Sequence, residues 1–431
     1  MGHFWNVTAD AAFALRAEEG VEVSLAGRVV GFRRQGGIAF GHVVDNAGKI
    51  QFCLQKRLFQ DNPELFREWS DSIHLGCIIG ISGTTWNSST GERTILVKNF
   101  RLLQKAFTSF PDKVNGLTDP EARLRKRYLD CAINPEVKDI FRTRSKVISS
   151  IRGFLGDHDF MEVETPVLCP QASGALAKPF TTHHNALGAD LFLRIAPETY
   201  LKRAVAAGFD KVFEIGKNFR NEGIDPSHLQ EFTSVEWYSA YNSSRDNLFL
   251  FMRLLDRIFD DLNKHNPWAT MTVKSYREIF AEFTGGTNPD SLSPENADAI
   301  FKTKVRPNLT GAWVITDYPA HLSPMAARTP GDSNTADQWQ FIVDGWEVVK
   351  CYTELTDPVL QRQLLEEQAL AKAGGNEEAM ALEEDFLECM EHGMPPMSGI
   401  GIGIDRLVCL ITGQKTLRDV VLFPTLLKKS E

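Results

Sequence analysis

The chain has 431 residues, 43% of them apolar and 24% charged, which suits two or three soluble domains with ample core. Its apolar runs fall short of a membrane span, and its start lacks the basic-then-apolar pattern of a secretory signal. Cys53, Cys77, Cys131, Cys169, Cys351, Cys389 and Cys409 are scattered and never form a CxxC pair. That usage predicts reduced thiols in a cytoplasmic protein and argues against structural zinc. The formal net charge of −9 is unevenly spread: residues 1–110 hold 12 basic and 10 acidic side chains, and the remainder 35 and 46. Any contact with a nucleic acid must therefore use local patches, for example Arg123, Arg125, Lys126 and Arg127.

The first elements are short strands. Val21–Val30, Ile38–Val44 and Ile50–Gln55 alternate or run apolar, separated by Gln35-Gly-Gly and Asn46-Ala-Gly-Lys. A polar helical stretch follows around 57–70, then two more strands from Ile79 and Thr94, divided by the turn Asn87-Ser-Ser-Thr-Gly-Glu. Three strands, a helix and two strands is the order of a five-stranded OB-fold β-barrel, expected over residues 1–110. The turn-rich Phe110–Pro120 reads as a linker, and 111–431 as a second domain. Within it, Val137, Ile140, Phe141, Val147, Ile148, Ile151 and Phe154 have helical spacing over 136–158. Residues 358–392 read as helical and acidic, and are expected to be a solvated excursion rather than part of a site.

The most informative stretch is Phe213–Tyr238, two strands joined by a long polar loop. The first strand runs into Arg220. The second places Phe232, Ser234, Glu236 and Tyr238 on one face. An aromatic, a carboxylate and a phenol opposite an Arg/Glu pair suit a bound nucleotide beside a cationic small molecule better than a core. This stretch resembles motif 2 of class II aminoacyl-tRNA synthetases, and among them the lysyl enzymes. Phe160-Met-Glu-Val-Glu-Thr-Pro166 resembles motif 1, and Gly399-Ile-Gly-Ile-Gly-Ile-Asp405-Arg406 resembles motif 3. The three occur in the family's order, and the resemblance runs from about residue 21 to the end.

The resemblance implies an α+β protein: an OB-fold anticodon domain, then a catalytic domain built on an antiparallel sheet flanked by helices. It implies a homodimer formed through motif 1, with ATP, Mg²⁺, lysine and tRNA(Lys) as cofactors and partners. The reaction joins two anions, so it needs positive charge and in-line positioning, not a protein nucleophile. By resemblance Arg220 bridges the α-phosphate and the amino-acid carboxylate, and Glu222 meets the adenine amino group. His228 lies near the outer phosphates, Phe232 and Arg406 flank adenine or the γ-phosphate, and Glu347 holds metal. Glu198 matches the position for the α-amino group, and Glu354 with Tyr238 the positions for the ε-ammonium. Gly174 and Glu236 line the same site. Arg33, Phe40 and Gln51 match the positions that hold the anticodon.

Two positions depart from the family's pattern. A second metal glutamate seven residues before Glu347 is here Gln340, and an asparagine three residues after it is Lys350. Both changes make the site more positive, which predicts that Lys350 replaces part of the Mg²⁺ requirement. Lys350 also keeps open a different amino-acid choice. The alternatives are a synthetase paralogue that modifies another acceptor, or a non-catalytic RNA-binding relative.

Overall fold

Period-2 alternation builds the first unit. In the computed structural model, residues 6–108, 110–111, 117–171, 174–223, 225–376 and 378–426 are described. Strands β1 (Glu22–Gln35), β2 (Ile38–Val44), β3 (Lys49–Gln55), β4 (Ile78–Asn87) and β5 (Arg93–Gln104) close a barrel in the order β1-β2-β3-β5-β4. Alternate residues Val23, Leu25, Val29, Ile50, Phe52, Ile79 and Ile81 fill it, each almost wholly buried. The helical stretch expected around 57–70 is the helix Pro63–Ser72 between β3 and β4 in sequence, with proline in its first turn. Part of the expected linker, residues 112–116, lies outside the described residues.

The chain forms two compact units, residues 1–138 with 423–431, and residues 139–422. The second contains strands β6 (Lys211–Phe219), β7 (Glu231–Ala240), β8 (Ala312–Pro319), β9 (Asp332–Val343), β10 (Trp346–Thr353) and β11 (Met397–Gly403). Their order is β8-β9-β10-β11-β7-β6, with every neighbouring pair antiparallel. Two edges depart from the expected antiparallel sheet. Met161–Glu162 runs parallel beside β6, and Thr272–Ser275 runs parallel beside β8. The β9–β10 hairpin turns on Asp344 and Gly345, both at positive φ, as a two-residue Asp-Gly loop does.

One sheet face is covered by helices Pro135–Asp157 and Ser244–Asp261. The first matches the helix expected from apolar spacing. The second starts on a capping box between Ser243 and Asp246. Val147, Ile151, Phe154, Phe251 and Leu254 pack against Trp237, Phe341 and Ile400. Each such side chain contributes roughly 1.5–3 kcal/mol of burial. The other sheet face carries the site.

Residues 358–392 correct the sequence reading. Helices Pro358–Ala373 and Glu384–Glu391 do expose acidic side chains. They also bury Leu365, Phe386, Leu387 and Met390 in a cluster that includes Leu201, Val205 and Tyr238. Met380, between them, reaches the wall of the cavity that holds Arg220 and Glu236.

Candidate active site

A cavity of about 340 Å³ opens on β7, β10 and β11. Phe232, Ser234, Glu236 and Tyr238 all line it, while Val235 and Trp237 face the helices. The alternation on β7 is thus the division between site and core. Gly399, Gly401 and Gly403 of β11 form its floor. Only Gly399 is crowded by protein: a Cβ there would lie 2.2 Å from Glu354 Oε1 and 2.3 Å from Tyr238 Cε1. At Gly401 and Gly403 the nearest atoms are 3.6 and 3.8 Å away, which leaves space for a ligand.

Cations gather at one end. Arg220 directly follows β6, its amide donates to Gln230 O at 2.9 Å, and its guanidinium lies 5.0 Å from the Phe232 ring centre. Arg406 donates to the Glu347 carbonyl at 2.7 Å, and its other nitrogen approaches His228 Nε2 at 3.5 Å. His228 Nδ1 lies 2.7 Å from Asp225 Oδ2, and a guanidinium, which can only donate, favours the tautomer that leaves Nε2 free to accept. Burial raises the Asp225 pKa, but the Ser227 hydroxyl and amide and His228 outweigh it and bring it to about 2. Burial, together with Arg306 and Arg220, pulls the Arg406 pKa down against Glu347 and Glu222. Three guanidiniums, those of Arg220, Arg306 and Arg406, meet at this end, and their planar donor forks suit the oxygens of a polyanion.

Glu347 and Lys350 share the cavity wall although they are three apart on a strand. The cause is a β-bulge: Phe341 pairs with Val349 but Ile342 pairs with Glu347, so Val348 is extra and the alternation resets. Arg306 Nη1 stands 3.8 Å from the Glu347 carboxylate. Lys350 Nζ lies 5.7 Å from the Tyr352 ring centre. Gln340 is directly opposite Lys350 in the ladder but does not line the cavity. It is buried and accepts from Tyr318 OH at 2.7 Å. Among the described residues no group of three or more His, Cys, Asp or Glu side chains could hold a metal ion.

Carboxylates gather at the other end. Glu198 begins the helix Glu198–Ala206, accepts from Tyr352 OH at 2.9 Å, and lines the cavity beside Gly174. Gly174 has φ of 82°, and a Cβ there would come 3.2 Å from Glu198 Cβ. Glu236 accepts from Tyr238 OH at 3.3 Å. Burial, with Glu198 nearby, pushes its carboxyl up to about 8 against Arg220. Glu354 does not line the cavity; it lies beneath Gly399 and Tyr238, fully buried. Its Oε2 meets the Lys202 ammonium, and its Oε1 has no hydrogen-bond partner. Sequence reasoning missed Lys202, Arg306, Asp405 and Arg144. Only Lys202, four residues after Glu198 on a helix, carried a local signal.

On the barrel, Arg33 and Phe40 are direct cross-strand partners. Gln51 pairs with His42, two residues along the face from Phe40. Phe40 is half-buried and outside the barrel core cluster. Gln51 is held in place, accepting from Thr94 Oγ1 and donating to Glu92 Oε2, both at 2.7 Å. The basic run at 123–127 is weaker than it reads. Arg123 and Arg127 both bind the buried Asp130, and Arg125 binds Glu121.

The family described as tRNA synthetases class II (D, K and N) matches residues 119–427, and the OB-fold nucleic acid binding domain matches 23–103. A lysine–tRNA ligase of Aquifex aeolicus is 40% identical over 94% of this chain and 73% of its own length. One from Carboxydothermus hydrogenoformans is 38% identical over 93% of this chain and 88% of its own. A third, from Sodalis glossinidius, is 40% identical over 94% and 86%. With its OB-fold barrel, its sheet and its three motifs in order, the chain belongs to the class II tRNA synthetases of the D, K and N group.

Proposed function

We propose that this chain is a lysine–tRNA ligase. A lysine carboxylate oxygen attacks the α-phosphorus of ATP, the bond to pyrophosphate breaks, and lysyl-adenylate forms. The terminal ribose hydroxyl of tRNA(Lys) then attacks the adenylate carbonyl and AMP leaves. The observation that carries this reading is the polarity of the cavity: Arg220 and Arg406 at one end, Glu198, Glu236 and the underlying Glu354 at the other. A neutral or acidic amino acid would leave Glu236 and the second oxygen of Glu354 without an ammonium partner.

In this reading Arg220 holds the reacting carboxylate and α-phosphate together, and Phe232 and Arg406 bracket adenine. Glu222 meets the adenine amino group and His228 the outer phosphates. Glu198 takes the α-ammonium, while Tyr238, Glu236 and Glu354 surround the ε-ammonium, with Gly174 leaving room beside them. Glu347 would hold Mg²⁺ carried in on the phosphates, a coordination of few carboxylates plus phosphate oxygens that suits this ion. When bound, Mg²⁺ neutralises phosphate charge. Lys350 supplies part of that charge from the protein. Arg33, Phe40 and Gln51 receive the anticodon, Phe40 by stacking. A homodimer in the cytoplasm completes the reading; no described helix is long and apolar enough to cross a membrane.

The test is transfer of labelled lysine. Label in the tRNA(Lys) 3′ end supports the proposal. Label in another acceptor would establish the paralogue instead, and ATP binding without any transfer would establish a non-catalytic relative.

A further inference from the structure

Lys202 is a charged side chain with no exposed surface. It lies on the helix Glu198–Ala206 and reaches two carboxylates from separate parts of the chain. Nζ is 2.7 Å from Glu198 Oε1, one helical turn back, and also meets Glu354 Oε2, just beyond β10. Tyr352 and Phe386 rings flank it, with centres 5.7 and 5.9 Å from Nζ. Burial disfavours its charge, but Glu198 and Glu354 overcome that and hold the ammonium protonated.

The contacts divide the carboxylates unequally. Glu198 is fixed through both oxygens, by Lys202 and by Tyr352 OH. Glu354 is held through one oxygen, and the other, beneath Gly399, has no partner. Glu236 has only the Tyr238 hydroxyl. This ammonium spans two carboxylates, and neither Glu354 Oε1 nor Glu236 has an ammonium of the protein in contact with it.

We propose that Lys202 is a positioning residue for amino-acid recognition: a fixed internal cation that ties Glu198 to Glu354 and leaves two carboxyl groups for the two ammonium groups of a diamino acid. The inference rests on the lysine reading of this site. Lys202 touches no reacting atom. It fixes how many positive charges the ligand must bring and where Glu354 Oε1 waits for one of them. Glu236, Tyr238, Tyr352 and Cys351 surround this arrangement, with Arg220 and Arg194 acting on Glu236, Asp337 on Cys351, and Lys350 over the Tyr352 ring.

The experiment is lysine-dependent ATP–pyrophosphate exchange by the full chain, comparing wild type with Lys202→Met and Glu354→Gln between about pH 6 and 9. Lys202→Met is expected to raise KM for lysine roughly tenfold or more, leaving KM for ATP within about twofold. Without the fixed cation the carboxyls keep their protons longer. The fall of lysine KM with rising pH should therefore shift upward by about one pH unit. A purely structural role would lower the melting point without moving that inflection. Lys202→Gln keeps an N–H donor on a side chain one bond shorter while removing the charge, and the same KM and pH shifts are expected of it if the methionine variant does not fold. Unchanged lysine KM in a folded Lys202 variant, with Glu354→Gln impaired, would overturn this inference alone. Unchanged KM in Glu354→Gln as well would overturn the lysine reading beneath it.

Discussion

The carboxylate of Asp405 accepts the backbone amide of Thr233 at 2.7 Å, which ties the end of β11 to the strand carrying Phe232 and Glu236. Its other oxygen meets Arg144 Nη1 at 2.5 Å, and Arg144 Nη2 donates to Thr233 Oγ1 at 2.9 Å. Asp405 is buried, and Arg406 is the next residue. The guanidinium at the cationic end is thus aimed by its neighbour's ion pair. Arg144→Met leaves Asp405 buried without its cation. A loss of about 3–5 kcal/mol in unfolding free energy is expected, read by denaturant titration. Exchange activity should fall further than the unfolded fraction explains, because Arg406 loses its anchor.

Glu236 predicts a pH effect of definite sign. Its carboxyl is pushed up to about 8 by burial and by Glu198, so the folded protein holds that proton more tightly than the unfolded chain. Stability contributed by the protonated group is full below the ordinary carboxyl range and is lost as pH rises toward 8. The unliganded protein should therefore melt lower at pH 8 than at pH 6, and Glu236→Gln should flatten that slope. Added lysine should oppose the loss, since its ammonium favours the ionised carboxylate. A melting series with and without lysine checks both signs.

The Arg220–Phe232 stack forms one wall of the nucleotide end. Phe232→Ala should raise KM for ATP roughly 2–13-fold, the worth of about 0.5–1.5 kcal/mol of stacking, while lysine KM stays nearly constant. Exchange kinetics with each substrate varied in turn separates the two.

Lys350 and Glu347 make the metal dependence testable. With the ammonium on the same wall as Glu347, Lys350→Asn should raise the Mg²⁺ concentration for half-maximal exchange. The charge lost from the protein is then supplied by the ion. An unchanged Mg²⁺ curve in a folded Lys350→Asn protein would remove Lys350 from this role.

Phe40 faces away from the barrel core, beside Arg33. Phe40→Ala should weaken tRNA(Lys) binding by about 1–3 kcal/mol, the range for one stacked base. Exchange without tRNA should not change, since Phe40 belongs to the barrel. Filter binding of tRNA alongside exchange distinguishes these effects.

Much of this arrangement is legible in the sequence where one local period decides it. The alternation from Phe232 to Tyr238 divides cavity from core, and the barrel follows from its strands and turns. What is not legible depends on contacts distant in sequence. Glu347 and Lys350 face the same way only because Val348 bulges, which a three-residue spacing on a strand argues against. Arg123, Arg125 and Arg127 read as a basic patch until Asp130 and Glu121 are placed against them. Residues 358–392 read as solvated because their charges outnumber Leu365, Phe386 and Met390, yet those few decide where the helices pack. Lys202 reads as one more surface lysine because Glu354, its second partner, lies far along the chain.

ATP–pyrophosphate exchange with each standard amino acid, at a series of Mg²⁺ concentrations, tests the lysine reading most directly. Exchange with lysine alone, or with its close diamino analogues far behind, is the predicted result. Exchange with another amino acid, above all one with a neutral or acidic side chain, would contradict it, as would no exchange at any Mg²⁺ concentration.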